Sequence, residues 1–288
     1  MRRLIAGCGY LGSRVARLWH DGGDEVHVLT RSALRARHFQ QQGLVPWVGD
    51  VTSPATLPRL PSVDTLLWSV GFDRDVSQTI DDVSVAGLRS FLGVLPSGVG
   101  RLIYISSTGV YGQTDGSWVN EATECRPQRY GGHVFLEAER LLLQSNLSDR
   151  TVILRLAGIY GPARLPRLKE LRAGQPISAA PENVLNLIHV DDAAQVVQHA
   201  AERALPLPRV FLVSDGQPVL RAVFYEEAAR LFGTPPAVFR SIPDEESADR
   251  RTGGHKRVCS DRMRAELGIT LRYPSYREGL AAIRRESE

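Results

Sequence analysis

Cysteine is scarce in this chain. Its three thiols, Cys8, Cys125 and Cys259, lie far apart and are odd in number, which argues against a disulfide framework or a CxxC metal site and fits a reducing, cytoplasmic compartment. Long apolar runs are missing as well, because charge or glycine breaks each one well short of the ~20 residues needed to cross a bilayer. The opening Met1-Arg2-Arg3-Leu4-Ile5-Ala6-Gly7 is basic, but glycine ends its apolar run too early for a signal peptide, and it reads as a strand. Charge of one sign is lacking: a net +3 over 288 residues gives no electrostatic footprint for nucleic acid. The one basic knot, Arg250-Arg251 to Lys256-Arg257, has no interleaved aromatics and reads as a solvated loop. No HExxH and no i, i+4 histidine pair is present, so a metal site has no support. The expected partner is a small molecule, with no membrane and no nucleic acid, for a monomer or a homodimer.

What is present is an ordinary globular composition, 43% hydrophobic and 23% charged, long enough to bury one large domain or a domain with a lobe. Short apolar runs alternate with helical patterns through the first two thirds, the signature of a parallel sheet with crossover helices. Six runs are read as strands: Arg3 to Ala6, Glu25 to Thr30, Leu44 to Val48, Thr65 to Ser69, Arg101 to Ser106 and Thr151 to Ala157. The clearest helix starts near Gly132, with Val134, Phe135, Ala138, Leu141 and Leu142 on one stripe and Glu137, Glu139 and Arg140 off it. A second is expected from about Asp75 to Leu95. After Gly161-Pro162 the prolines break the pattern into short pieces. Asp191-Asp192 is read as capping a helix to about Arg203, and Arg209 to Ser214 as a seventh strand returning to the sheet. Beyond it a helix around Val219 to Phe232, a short strand near Val238 and a last helix, Arg262 to Leu267, precede the tail. The adjacent acidic pairs, Asp191-Asp192 among them, are read as caps or solvated faces.

Gly7-Cys8-Gly9-Tyr10-Leu11-Gly12 is a GxGxxG placed after the first strand and opening the first helix. Gly7 permits the tight turn, Gly9 lets backbone approach a pyrophosphate, and Gly12 lets helix and sheet pack closely, while the helix N-terminus offers N–H donors and partial positive charge. The tip of the second strand, Thr30-Arg31-Ser32, carries a cation and hydroxyls where an acidic residue would serve a free 2′-hydroxyl. It therefore suits a 2′-phosphate and predicts NADP, with NAD as the alternative. Asp50, beside Val51 at the end of the third strand, either accepts from the adenine amino group or caps a turn. Ser69-Val70-Gly71, Ser106 and Ala157-Gly158-Ile159, at later strand ends, are expected to complete the coenzyme site. The fold class is α/β: a Rossmann-type doubly wound parallel sheet of about seven strands with a small, discontinuous C-terminal substrate lobe. The dinucleotide domain is assigned to 1-157 plus about 190-215, and the lobe to about 158-189 plus 216-288.

At Ile105-Ser106-Ser107-Thr108-Gly109-Val110-Tyr111-Gly112 the chain resembles the extended short-chain dehydrogenases/reductases, the group of nucleotide-sugar epimerases and dehydratases. Leu154-Arg155-Leu156-Ala157-Gly158-Ile159-Tyr160-Gly161-Pro162, then Asn186-Leu187-Ile188-His189-Val190-Asp191-Asp192-Ala193, then Glu266-Leu267-Gly268 continue the likeness in the family's order. The early GxGxxG differs from the family's usual TGxxGxxG and is similar to an atypical epimerase/dehydratase-like branch. The resemblance implies that Ser107 hydrogen-bonds the reacting substrate oxygen.

It also implies a Tyr-x-x-x-Lys pair on the following helix, of which the sequence keeps half at most. Tyr130 stands near the tyrosine's place, but four residues on is Val134; shifting by one brings Gly131 and Phe135, and no lysine occurs between 101 and 168. Without that cation a phenol titrates near 10, a handicap of about 4 kcal/mol at pH 7 for any step needing a phenolate. Carbonyl reduction, with Ser107 and Tyr130 as proton donors, stays open, and His133 is the nearest titratable substitute. The expected function is an NADP-dependent oxidoreductase or epimerase-like enzyme; the resemblance supplies the substrate class, a nucleotide sugar or other polar carbonyl compound. The alternative is a catalytically idle NADP(H)-binding sensor.

Overall fold

The computed structural model describes residues 1–72, 77–240 and 254–286. Its centre is a parallel sheet of seven strands: β1 (Arg2–Ala6), β2 (Glu25–Thr30), β3 (Val45–Val48), β4 (Thr65–Trp68), β5 (Arg101–Ser107), β6 (Thr151–Leu156) and β7 (Arg209–Val213). The spatial order is β7-β6-β5-β4-β1-β2-β3, so the chain reverses direction across the sheet between β1 and β4, which are neighbours. In open α/β sheets that reversal point is where ligands bind, beyond the carboxyl ends of the strands. All seven strands expected in the sheet are present and lie in it, while the short strand expected near Val238 is Phe239–Arg240, paired in parallel with Ile177–Ser178.

The inner strands are apolar on both faces. Leu4, Ile5, Leu66, Leu67, Leu102 and Ile103 are fully buried, as helix-covered parallel strands require. Arg3 is one exception: buried beside Trp19, it bonds Asp24 at 2.8 Å and Thr65 Oγ1 at 2.6 Å, which satisfies its charge. Helix α1 (Gly12–Asp21) buries Val15, Ala16 and Trp19 and ends at Gly22. Helix α2 (Ala33–Gln41) follows β2. The start expected near Asp75 lies outside the described residues; the described part is a π-helical stretch, Asp82–Ala86, running into α3 (Gly87–Val94).

Helix α4 (Tyr130–Leu143) carries the apolar stripe read from the sequence, with Val134, Ala138 and Leu142 buried. One assignment there is wrong. Glu139, read as lying off the stripe, is 1% exposed, because Arg155 on β6 compensates its charge inside the protein.

The chain divides into two compact units: Met1–Ser107, His133–Arg155 and Ala194–Phe211 form one, and Thr108–Gly132, Leu156–Ala193 and Leu212–Glu288 the other. The second has its own core, in which Tyr160, Phe224, Tyr225, Tyr276, Leu280 and Ile283 are buried together. It contains α6 (Arg221–Phe232) and α7 (Asp261–Leu267). It also contains α8 (Tyr276–Glu286), where the sequence reading left only a tail. The signal was there: Tyr276, Leu280 and Ile283 recur at helical spacing. Gly279 on α8 leaves room for the Tyr160 ring, since a Cβ there would stand 2.0 Å from the phenol oxygen.

Two further readings are corrected. Helix α5 (Val190–Glu202) begins before Asp191-Asp192, so the pair lies in its first turn. Asp192 is buried and accepts from the backbone N–H groups of Arg272 and Tyr273 at 2.7 and 2.9 Å; it is neither a cap nor a solvated face. In the basic knot, Arg250 and Arg251 lie outside the described residues, while Lys256 is 7% exposed, not solvated. Among the described residues, no helix is long and apolar enough to cross a membrane.

Candidate coenzyme site

The GxGxxG forms the turn from β1 into α1. Gly7 has φ +88°, and a Cβ there would stand 2.4 Å from the Val70 nitrogen, so only glycine fits. A Cβ on Gly12 would meet the Gly7 carbonyl oxygen at 2.5 Å and Ser69 Oγ at 3.0 Å. Ser69 fastens the turn by donating to the Gly7 carbonyl at 2.8 Å. Gly9 is different in kind: among the described residues, a Cβ there would meet no atom within 4 Å. Two glycines thus serve packing, and the third bares backbone toward open space. Tyr10 and Leu11 complete the turn; α1 has no side-chain cap and no acidic residue in its first turn, so the helix's own residues do not neutralise its positive end. The Cys8 thiol within this loop is buried, and that desolvation pushes its pKa up to about 12, which makes it an inert packing group.

At the tip of β2, Thr30 is buried and its Oγ1 accepts from the Ser32 N–H at 3.2 Å. Ser32 caps α2 by accepting from the Arg35 N–H at 3.3 Å, which leaves its own hydroxyl proton available. Arg31 is exposed beside it. Sequence reasoning missed Arg35. One turn beyond Arg31, it stacks over Phe39 and its guanidinium donates to the Cys8 carbonyl, so the second-strand tip and the glycine turn are tied together. The i, i+4 spacing of two arginines was the available signal. Asp50 closes a turn, its Oδ1 accepting from Thr52 N–H and Oγ1 at 2.9 and 2.8 Å, and Val51 next to it is buried in the core. Gly71, past β4, is exposed.

At the end of β5 the neighbouring serines diverge. Ser106 is buried and donates to Glu139 Oε1 at 2.5 Å, and Glu139 in turn receives Arg155 Nε at 3.0 Å and Nη2 at 2.6 Å. Ser106 therefore spends its hydroxyl proton inside a buried polar network. Ser107, the last residue of the strand, is half-buried. His133 is exposed on α4. In the second unit, Tyr130 is 58% exposed at the first residue of α4. There too Ala157 donates to the Val213 carbonyl at 2.9 Å, and Gly158 and Ile159 pair in parallel with Leu187 and Ile188. Among the described residues, no group of three or more His, Cys, Asp or Glu side chains is gathered as a metal ion would require.

Comparison with known proteins agrees with this geometry. The chain matches the NAD dependent epimerase/dehydratase family over residues 4–214. It is 35% identical over 178 residues to Protein YeeZ of Escherichia coli K12, a match covering 60% of this chain and 59% of that protein, less than two thirds of the relative's length. Among solved structures, a conserved protein of unknown function from Silicibacter pomeroyi is 30% identical with a TM-score of 0.82, covering 100% of this chain and 99% of the other. UDP-glucose 4-epimerase from Bifidobacterium longum, in complex with NAD+ and UDP, has a TM-score of 0.80 at 17% identity over 100% and 98% of the two chains; at that identity the likeness speaks for the fold alone. The extended short-chain dehydrogenase/reductase resemblance of the motifs is borne out, and the chain belongs to the NAD dependent epimerase/dehydratase family.

Proposed function

We propose that this protein is an NADP-dependent oxidoreductase or epimerase/dehydratase-like enzyme acting on a polar carbonyl compound such as a nucleotide sugar. The observation that carries the reading is the space left at Gly9, in a helix-opening turn that has neither a side-chain cap nor an acidic neighbour. That turn fits a pyrophosphate, with the amides of the first turn of α1 as donors. Arg31 and Arg35 together support NADP over NAD: Arg31 stands at the tip of β2 and Arg35 one turn on in α2, where an acidic side chain would repel a 2′-phosphate. The coenzyme, when bound, supplies or takes up hydride. This chain's own residues do the rest: Ser69 holds the glycine turn, and Ser107 donates a hydrogen bond to the substrate oxygen. Tyr130 and His133, exposed near the start of α4, are the candidates for a second donor. The nucleotide-sugar class comes from the family resemblance of the motifs.

The test is a calorimetric titration with NADPH and NADH, followed by absorbance at the nicotinamide band with a panel of nucleotide sugars and carbonyl compounds. Saturable binding, with turnover lost in Ser107→Ala, is the expected result. No binding of either coenzyme overturns the reading.

One observation favours a second reading, the coenzyme-binding sensor. Val134, four residues after Tyr130, is 3% exposed and packs in the core, which fits a coenzyme-binding protein in which the family's lysine position is taken by an apolar side chain. Tight NADP(H) binding without turnover of any panel member selects this reading.

A further inference from the structure

Glu139 on α4 is the meeting point of three elements of the first unit. Arg155 on β6 holds its carboxylate in a fork, Nε on Oε1 at 3.0 Å and Nη2 on Oε2 at 2.6 Å. Ser106 on β5 donates to the same Oε1 at 2.5 Å. Ser106, Glu139 and Arg155 are 4%, 1% and 7% exposed, so the node is inside the protein. Burying two charges costs desolvation energy, and apolar side chains of similar volume often join two elements as well or better. What the charged fork adds is direction, because its planar geometry fixes where each carboxylate oxygen points. Here Oε1 points at the Ser106 hydroxyl.

That direction is delivered at the carboxyl end of β5. The ladder between β5 and β4 ends at the pair Trp68 and Tyr104, so Ser106 and Ser107 run past it on that side. Tyr104 packs with Val134 and Ala138 of α4 in one core, and Ser106, two residues on, follows it on the same face of the strand. Ser107 is the next residue, one planar peptide away. An anchored Ser106 therefore sets the point and the angle at which the Ser107 side chain leaves the strand.

We propose that Glu139, oriented by Arg155, is a positioning residue that acts through Ser106 to hold the Ser107 hydroxyl against the substrate oxygen. The inference rests on the reading of Ser107 as the donor to that oxygen. A misplacement of about 1 Å at a reacting centre costs up to about a hundredfold in rate, so a remote anchor of this kind is read in turnover and not in coenzyme affinity.

The test is a double-mutant cycle on kcat. Wild type, Ser106→Ala, Ser107→Ala and the double variant are assayed with NADPH and the member of the nucleotide-sugar and carbonyl panel that wild type turns over fastest. Ser106→Ala removes one hydroxyl and leaves the pair of Glu139 and Arg155 in place; melting curves confirm that each variant is folded at the assay temperature. In Ser106→Ala, kcat is expected to fall about tenfold, with substrate KM and NADPH affinity within about twofold of wild type. Ser107→Ala falls about a hundredfold or more, and adding Ser106→Ala to it lowers kcat no further, because Ser106 acts only through Ser107. A hydroxyl kept for stability alone leaves the kcat of folded Ser106→Ala unchanged, and one that acts elsewhere multiplies the two losses; either result overturns the proposal. Glu139→Gln, which gives up the charged fork, is taken through the same cycle with the same pattern expected; should it not fold, the Ser106 cycle still decides. No turnover by wild type, or turnover unimpaired in Ser107→Ala, removes the donor reading of Ser107 and this proposal with it, whereas independent losses remove this proposal alone.

Discussion

Glu139 and Arg155 form a buried ion pair across α4 and β6, with 2.6 Å between Oε2 and Nη2 and side chains 2% and 9% exposed. The pair fixes the rotation of α4. At 100° per residue, Phe135 and Gly131 share the side of Glu139, while Tyr130, nine residues back, falls about 180° away.

Removing one partner strands the other charge in the interior. Arg155→Ala and Glu139→Ala should each lower unfolding stability by about 3–5 kcal/mol, read from urea denaturation midpoints. A double replacement by leucines should cost clearly less than the sum of the single losses. Additive losses would mean that the ion pair is not coupled as described.

The glycines of the first turn should separate by role. Gly7→Ala forces a Cβ to within 2.4 Å of the Val70 backbone at a positive φ, and a loss of about 2–4 kcal/mol in folding stability is expected from the clash and the strained conformation together. Gly9→Ala meets nothing, so its melting temperature should stay near wild type while NADPH affinity falls at least tenfold. A stable Gly9→Ala that binds NADPH normally would count against the turn as the pyrophosphate site.

Arg31 and Arg35 should set the coenzyme preference jointly. Arg31→Glu is expected to weaken NADPH binding by about tenfold to a hundredfold and to leave NADH nearly unchanged. Arg35→Ala should weaken both coenzymes, because it also unties the glycine turn at the Cys8 carbonyl. Calorimetric titration of both coenzymes against both variants measures this, and an unchanged NADPH affinity in Arg31→Glu removes Arg31 from the site.

Asp215 makes stability depend on pH. It is 1% exposed, and its pKa is raised from 3.8 to about 7, chiefly by burial, with Asp192 and Glu278 adding repulsion against the bonds from Gln217 and the charge of Arg264. Between those values the folded state holds a proton that the unfolded chain releases, so stability falls as pH rises from about 4 to 7 and is level above. The loss amounts to about 4 kcal/mol at most. Asp215→Asn should therefore gain stability relative to wild type between pH 4 and pH 8, measured by chemical denaturation at each pH. A difference that does not change with pH would place the Asp215 carboxyl near its ordinary range.

The seven strands, the helices between them and the glycine turn were legible from the chain because each is written locally. Apolar runs of strand length and a glycine spacing at the turn from a strand into a helix are features of a few consecutive residues. Glu139, Arg35 and Lys256 were not legible. A charged residue on a helix or loop looks solvent-bound until its surroundings are known, and here Arg155, the Cys8 carbonyl and Tyr111 all come from distant segments. The sequence alone therefore determined the class of fold and the glycine turn that opens the first helix, through short-range periodicity and backbone freedom. Only the tertiary structure decided which charges are buried and with whom, because the cost of burying a charge is set by neighbours that folding brings from far along the chain.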